Sequence, residues 1–140
     1  MAGEIYTATD AGGAFSGNQQ LRVVEPQSLA QSLIGTGFGY EAAVRAEQGA
    51  VVAALLPRVR DIRRFGAASL DLCAVATGRL NGYFERGLKP WDHAAAALVV
   101  REAGGVVAGL DGAPASTEFL LAAPPELASE LWKTLADGGL

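Results

Sequence analysis

Short hydrophobic runs alternate along the chain with longer stretches in which apolar residues recur at helical spacing. The short runs have the length and the bounding turn residues of β-strands, and they cover residues 4–9, 21–23, 33–36, 58–65, 80–85, 106–108 and 119–123. The longer stretches predict helices that end at Pro or Gly, and they cover residues 41–56, 70–77, 92–103 and 125–135. Strands that alternate with helices predict an α/β protein with a layered mixed sheet flanked by helices.

Pro26 divides the chain into two predicted parts. Residues 1–25 are expected to form a hairpin, because turn residues separate its extended segments, and this hairpin has little to bury against locally. Residues 26–140 hold the other strands and all four helices, and we expect them to form an α/β domain. Half of the residues in the chain are hydrophobic, which is enough for a sizeable core.

Four arginines in the predicted strand at residues 58–65 form the only basic cluster of the chain. Because side chains alternate along a strand, Arg58, Arg60 and Arg64 are expected on one face and Arg63 on the other. This arrangement favours a solvated or subunit-contacting edge over a phosphate site.

The charge and the cysteine content exclude several classes of partner. The formal net charge of −4 argues against nucleic acid, whose nonspecific binding needs clustered Lys and Arg. The single Cys73 excludes an internal disulfide and is typical of a reducing compartment, so we expect a cytoplasmic protein. No apolar run is long enough to span a bilayer and the first ten residues do not resemble a leader, so no membrane partner is expected.

Two acids bracket the turn between the fifth predicted strand and the third predicted helix. Glu85 ends the strand at 80–85, and Asp92 is predicted to be the first residue of the following helix. Both can converge on one corner at the positive end of the helix dipole, which suits a cation together with a polar anion. The residues alone leave two alternatives open: Asp92 as a helix N-cap, and Glu85 as a surface acid paired with Arg86 or Lys89.

Four segments resemble, in order and spacing, the C-terminal half of the inositol monophosphatase family. They are residues 63–72, 78–85, 91–95 and 102–105, and weaker similarity at residues 13–18 and 35–38 extends the resemblance over nearly the whole chain. The resemblance implies the layered αβαβα fold, of which residues 26–140 would be the C-terminal domain. It also implies a magnesium-dependent, lithium-sensitive phosphomonoesterase, usually dimeric, that acts on a small phosphorylated polyol or alcohol.

The resemblance further implies roles for single residues. Asp92 matches a metal-ligating aspartate, here for Mg²⁺. Glu85 matches the glutamate that hydrogen-bonds a substrate hydroxyl. The backbone of Gly66, Ala67 and Ala68 matches the loop that meets the substrate ring.

The family's other metal ligands are missing from this sequence. They lie in a Glu-Glu pair and in an Asp-Pro-x-Asp-Gly-Thr motif, neither of which occurs here. Two-metal hydrolysis needs several carboxylates around its cations, so we expect this chain to be inactive alone. The alternative is a non-catalytic binding or interaction module derived from the same fold. The hairpin at residues 4–23 would join the sheet of the missing half, and its uncovered edge predicts a homo-oligomer.

Overall fold

The computed structural model describes residues 3–26 and 28–140. Its first element is a small antiparallel sheet in which the middle strand pairs with both others, and its strands are β1 (Tyr6–Thr9), β2 (Gly13–Ser16) and β3 (Gln19–Gln20). The strand predicted at residues 21–23 was wrong. There the chain leaves the sheet, because Leu21 donates its N–H to Ala14 but Val23 donates to the carbonyl of Ala103, 2.9 Å away.

A five-stranded mixed sheet forms the centre of the protein, in the order β5-β4-β6-β8-β7. Its strands are β4 (Leu33–Thr36), β5 (Asp61–Arg63), β6 (Gly82–Glu85), β7 (Val106–Ala108) and β8 (Leu120–Ala123). Strand β4 runs parallel to β5 and β6, and β8 runs antiparallel to β6 and β7. The predicted mixed sheet is confirmed.

Four helices cover the two faces of this sheet, and they are α1 (Ala42–Leu55), α2 (Ala68–Ala76), α3 (Pro90–Glu102) and α4 (Pro125–Asp137). Neighbouring strand residues point to opposite faces, so Tyr83 packs with α2 and α3 while Phe84 packs with α1 and α4. The small sheet packs on the outer side of α3. The layers therefore run from the small sheet through α2 and α3 to the central sheet, and then to α1 and α4.

The hairpin is better packed than its sequence predicted. Ala14 is fully buried, and Tyr6 and Ala8 contact the core of α2 and α3. The carboxylate of Glu102, on α3, accepts the N–H groups of Ala11 (3.0 Å) and Gly13 (2.8 Å) and so ties the β1–β2 turn to the helix. That this hairpin also joins the sheet of another half stays a prediction.

Two of the boundaries that differ from those expected bear on the site. The arginine-rich strand is only three residues long, because Pro57 lies in a 3-10 turn at Leu56–Arg58, and of the four arginines only Arg63 belongs to β5. Helix α3 begins at Pro90 rather than at Asp92, because proline fits the first helical position. Asp92 is its third residue.

Cys73 is free and buried, as its apolar helical position predicts. Across residues 3–26 and 28–140, the helices are all too short or too polar to cross a membrane. The cytoplasmic location stays a prediction.

Candidate functional site

A cleft of about 720 Å³ opens at the ends of β4 and β6. The loop after β4, the turn before α2, the end of β6 and the start of α3 form its walls. All five residues to which the resemblance assigns a role line it, and they are Gly66, Ala67, Ala68, Glu85 and Asp92. The fold therefore brings together residues that are up to 26 positions apart, although their roles stay predictions.

Glu85 ends β6, and its carboxylate lies over Gly37 in the loop after β4. A Cβ atom at Gly37 would overlap this carboxylate, so the absence of a side chain at Gly37 makes room for it. The buried hydroxyl of Tyr83 donates a hydrogen bond to Glu85 Oε2. Glu85 is thus not a surface acid paired with Arg86, the alternative that the sequence left open, because Arg86 pairs instead with Glu47, 3.8 Å away.

The environment of Glu85 favours its neutral form. Burial raises the pKa of Glu85 above its ordinary value, and the negative charge of Asp92 acts in the same direction. The hydrogen bond from Tyr83 and the Arg64 guanidinium oppose this rise. The result is a carboxylate that has one buried donor and is open to the cleft.

Asp92 projects from the first turn of α3. Its Oδ2 accepts the N–H of Lys89, the N-cap residue, over 2.8 Å. The alternative of Asp92 as the N-cap is excluded, because the helix starts two residues earlier, at Pro90, and Lys89 is the N-cap. Capping from the third position uses one carboxylate oxygen, so the other can face a ligand.

Gly66 and Ala67 form the turn into α2, and Ala68 is the first residue of that helix. Gly66 has a φ of +86°, a conformation that glycine adopts without steric cost. Ala67 is the N-cap residue and has no side-chain oxygen to offer to the first helical amides. The turn therefore presents backbone to the cleft at the positive end of the α2 dipole.

Asp71 also lines the cleft, and sequence reasoning missed it. Its side chain is almost fully buried, and Oδ1 has no hydrogen-bond partner in the described part of the chain. Burial, together with the charge of Glu85, raises the pKa of Asp71 to about 6, against the effect of the Arg64 guanidinium and nearby backbone amides. A lone acid in the first turn of the apolar helix α2 was the available signal.

Arg64 lies beyond the end of β5 and lines the cleft. The expected alternation of Arg58, Arg60 and Arg64 on one strand face was wrong, because none of these three residues lies in β5. Of the four arginines Arg64 lines the cleft, and its charge acts on both Asp71 and Glu85.

These acids do not make up a magnesium site by themselves. Within residues 3–26 and 28–140, no three His, Cys, Asp or Glu side chains lie close enough together to hold a metal ion. A cation in the cleft would need ligands beyond those this chain supplies, because Mg²⁺ takes six oxygen ligands in near-octahedral geometry.

The sequence matches the family model described as "Inositol monophosphatase family" over residues 1–139. It is 41% identical over 136 residues to the inositol-1-monophosphatase SuhB of Mycobacterium tuberculosis, a match that covers 94% of this chain and 47% of that protein. It is 40% identical over 136 residues to the putative Nus factor SuhB of Neisseria meningitidis, covering 95% of this chain and 52% of that protein. The chain therefore spans about half the length of the curated relatives it matches.

Two solved structures also superpose closely on this chain. The inositol monophosphatase from Anabaena superposes with a TM-score of 0.90 at 33% identity, over 96% of this chain and 54% of that one. Mycobacterium tuberculosis SuhB superposes with a TM-score of 0.86 at 40% identity, over 97% of this chain and 55% of that one.

Proposed function

Because the chain belongs to the inositol monophosphatase family, we propose that it forms the substrate-binding half of a magnesium-dependent phosphomonoesterase. The substrate would be a small phosphorylated polyol or alcohol. The observation that supports this proposal is that Glu85, Asp92 and residues 66–68 line one cleft.

Each of these groups has a task that suits its environment. Glu85 would accept a hydrogen bond from a substrate hydroxyl and so orient the leaving alcohol. The backbone at residues 66–68 would lie against the substrate ring, where no side chain longer than a methyl group intervenes. Asp92 would contribute one oxygen ligand to magnesium, and the remaining ligands would come from another part of the enzyme.

We infer that the 140 residues do not hydrolyse phosphate esters alone. Hydrolysis by metal-activated water needs several carboxylates around its cations, and in the described part of the chain no three acidic side chains lie close enough together to hold one. The direct test incubates the purified chain with inositol monophosphate and millimolar Mg²⁺ and measures released phosphate. Turnover by the chain that disappears in Asp92→Asn would overturn this inference.

A chimera tests the positive half of the proposal. The N-terminal half of Mycobacterium tuberculosis SuhB, placed before this chain, should supply the missing wall of the cleft. We expect magnesium-dependent phosphate release that falls at least 100-fold in Asp92→Asn, since a metal ligand is lost, and persists in the neighbouring control His93→Asn. A folded chimera without activity would contradict the proposal.

We further propose that residues 1–25 join a sheet in another chain or half. Strand β1 is an edge strand, and Ile5 beside it is 72% exposed. Such an edge recruits a partner strand, so the isolated chain should be a homo-oligomer through residues 4–23. A compact monomer by light scattering at high concentration would contradict this.

A binding role without catalysis is the second candidate. Relatives from Neisseria, Pasteurella and Haemophilus carry the name Nus factor SuhB, which is not the name of a hydrolase. An inactive but folded chimera would favour this candidate over the phosphatase.

A further inference from the structure

Glu85 is supported by a buried side chain from its own strand. Tyr83 lies two residues before it on β6 and is completely buried. Its hydroxyl donates to Glu85 Oε2, which satisfies a phenol that burial would otherwise leave without a partner. The bond links the core of α2 and α3 directly to the cleft.

Two glycines make room for this arrangement. Gly35 in β4 and Gly37 just after it are two residues apart, so they share one face of the extended chain. A Cβ atom at Gly35 would lie 3.2 Å from the ring of Tyr83 and 2.9 Å from Asp71 Oδ1, and one at Gly37 would overlap Glu85. The Tyr83 ring and the Asp71 and Glu85 carboxylates therefore lie against glycine backbone, in space that a side chain on either glycine would occupy.

We propose that Tyr83 is a positioning residue for Glu85: its buried hydroxyl holds Oε2, so that the carboxylate keeps one orientation and its other oxygen accepts a ligand hydroxyl. This inference rests on the proposed function of Glu85 as a hydroxyl acceptor. A glutamate without this bond could rotate about its terminal torsion, which has broad minima.

The positioning role has a signature that a purely structural role lacks. Because Tyr83 donates to the ionised carboxylate, its hydrogen bond lowers the pKa of Glu85 against the effect of burial. Removing only the hydroxyl should therefore raise this pKa further. If Tyr83 had only a structural role, its substitution would loosen the packing around the cleft, water would enter, and the pKa of Glu85 would fall. The charges of Arg64, Asp71 and Asp92 remain in place in either case.

The chain contains a matched control for this change. Tyr6 also donates to a glutamate two residues away, Glu4, but on the exposed hairpin. Tyr6→Phe removes the same hydroxyl and the same kind of bond without touching the cleft.

The experiment follows the side-chain carboxyl carbon of Glu85 by ¹³C NMR in the full 140-residue chain as the pH is varied. In Tyr83→Phe we expect the midpoint to move up by roughly half to one pH unit, the equivalent of one net hydrogen bond. In Tyr6→Phe it should not move. A midpoint that stays or falls in Tyr83→Phe would overturn the proposal.

A second variant keeps the test open if Tyr83→Phe does not fold. In Glu85→Ala the ring carbon that carries the Tyr83 hydroxyl should change its chemical shift, and that of Tyr6 should not. An unchanged Tyr83 resonance would overturn the proposal. Neither readout needs turnover, so an inactive chimera would refute the phosphatase proposal without affecting this result.

Discussion

Two glutamates accept a hydrogen bond from a tyrosine two residues away, yet their pKa values move in opposite directions. Glu4 on the hairpin is exposed, and its hydrogen bonds from Arg79 and then from Tyr6 lower its pKa to about 2. Glu85 in the cleft accepts from Tyr83, and burial raises its pKa. The tyrosine bond acts in the same direction in both places, so the surroundings decide the outcome.

Besides burial, the two sites differ in the position of the arginine. Two guanidinium nitrogens of Arg79 contact the two carboxylate oxygens of Glu4 at 2.8 and 2.6 Å, which is bidentate pairing. In the described residues, Glu85 forms no such ion pair, and Arg64 acts on it through its charge alone. A carboxylate that forms no ion pair within the protein remains available to a ligand. In this respect Glu85 in the cleft differs from Glu4 on the hairpin.

The largest effect should come from removing the acid beside Glu85. The folded-state pKa of Asp71 is raised from 3.8 to about 6. Between these two pH values Asp71 stays protonated in the folded chain but ionises in the unfolded chain, which favours unfolding. The free energy of unfolding of the unmodified chain should therefore fall by up to about 3 kcal/mol between pH 4 and pH 7 on account of Asp71.

In Asp71→Asn this fall should be absent, which urea unfolding at several pH values would measure. Asp10→Asn, in the exposed β1–β2 turn, is the control and should keep the slope of the unmodified chain. If Asp71→Asn also keeps the slope of the unmodified chain, the pKa of Asp71 is not raised by folding.

A smaller effect is expected from closing the space beneath Glu85. Gly37→Ala would place a methyl group where the Glu85 carboxylate lies, and because this carboxylate is the end of a flexible side chain it can turn away, so we expect a cost of about 1 kcal/mol, at the low end for overpacking. Gly49→Ala, in helix α1 with open space around it, should instead stabilise the chain by about 0.5–1 kcal/mol. Equal and favourable effects of the two substitutions in urea unfolding would mean that Glu85 does not lie against Gly37.

The smallest effect is expected on the hairpin. Arg79→Gln removes the main cause of the lowered pKa of Glu4, so this pKa should rise toward its ordinary value. Glu85 should titrate as before, because Arg79 is not among the groups that act on it. The measurement is ¹³C NMR of the Glu4 side-chain carboxyl carbon. A midpoint that stays near pH 2 in Arg79→Gln would mean that Tyr6 rather than Arg79 lowers the pKa of Glu4.

The order of strands and helices could be predicted from the sequence because hydrophobic period and Gly or Pro boundaries are local signals. The same local signals placed Glu85 and Asp92 at neighbouring element ends. They fail where packing decides: β2 contains small residues with no clear alternation, and the segment at residues 58–65 forms a strand only at Asp61–Arg63, after the 3-10 turn that contains Pro57.

Tyr83 and Glu85 are two residues apart and share one face of β6, so their proximity is local, but an apolar strand gives no sign that the tyrosine supports a site. The acid in the first turn of the apolar helix α2 was a signal for Asp71. Its proximity to Glu85 depends on how α2 packs against the sheet near Gly35, and that is a property of the tertiary fold.

One titration compares the two glutamates most directly. In the unmodified chain, ¹³C NMR of the side-chain carboxyl carbons from pH 1 to pH 8 should give Glu4 a midpoint near 2 and Glu85 a midpoint above 4.5. A midpoint for Glu85 below 4.5 would contradict the account, because it would mean that Glu85 is either solvated or already neutralised by a cation of the protein.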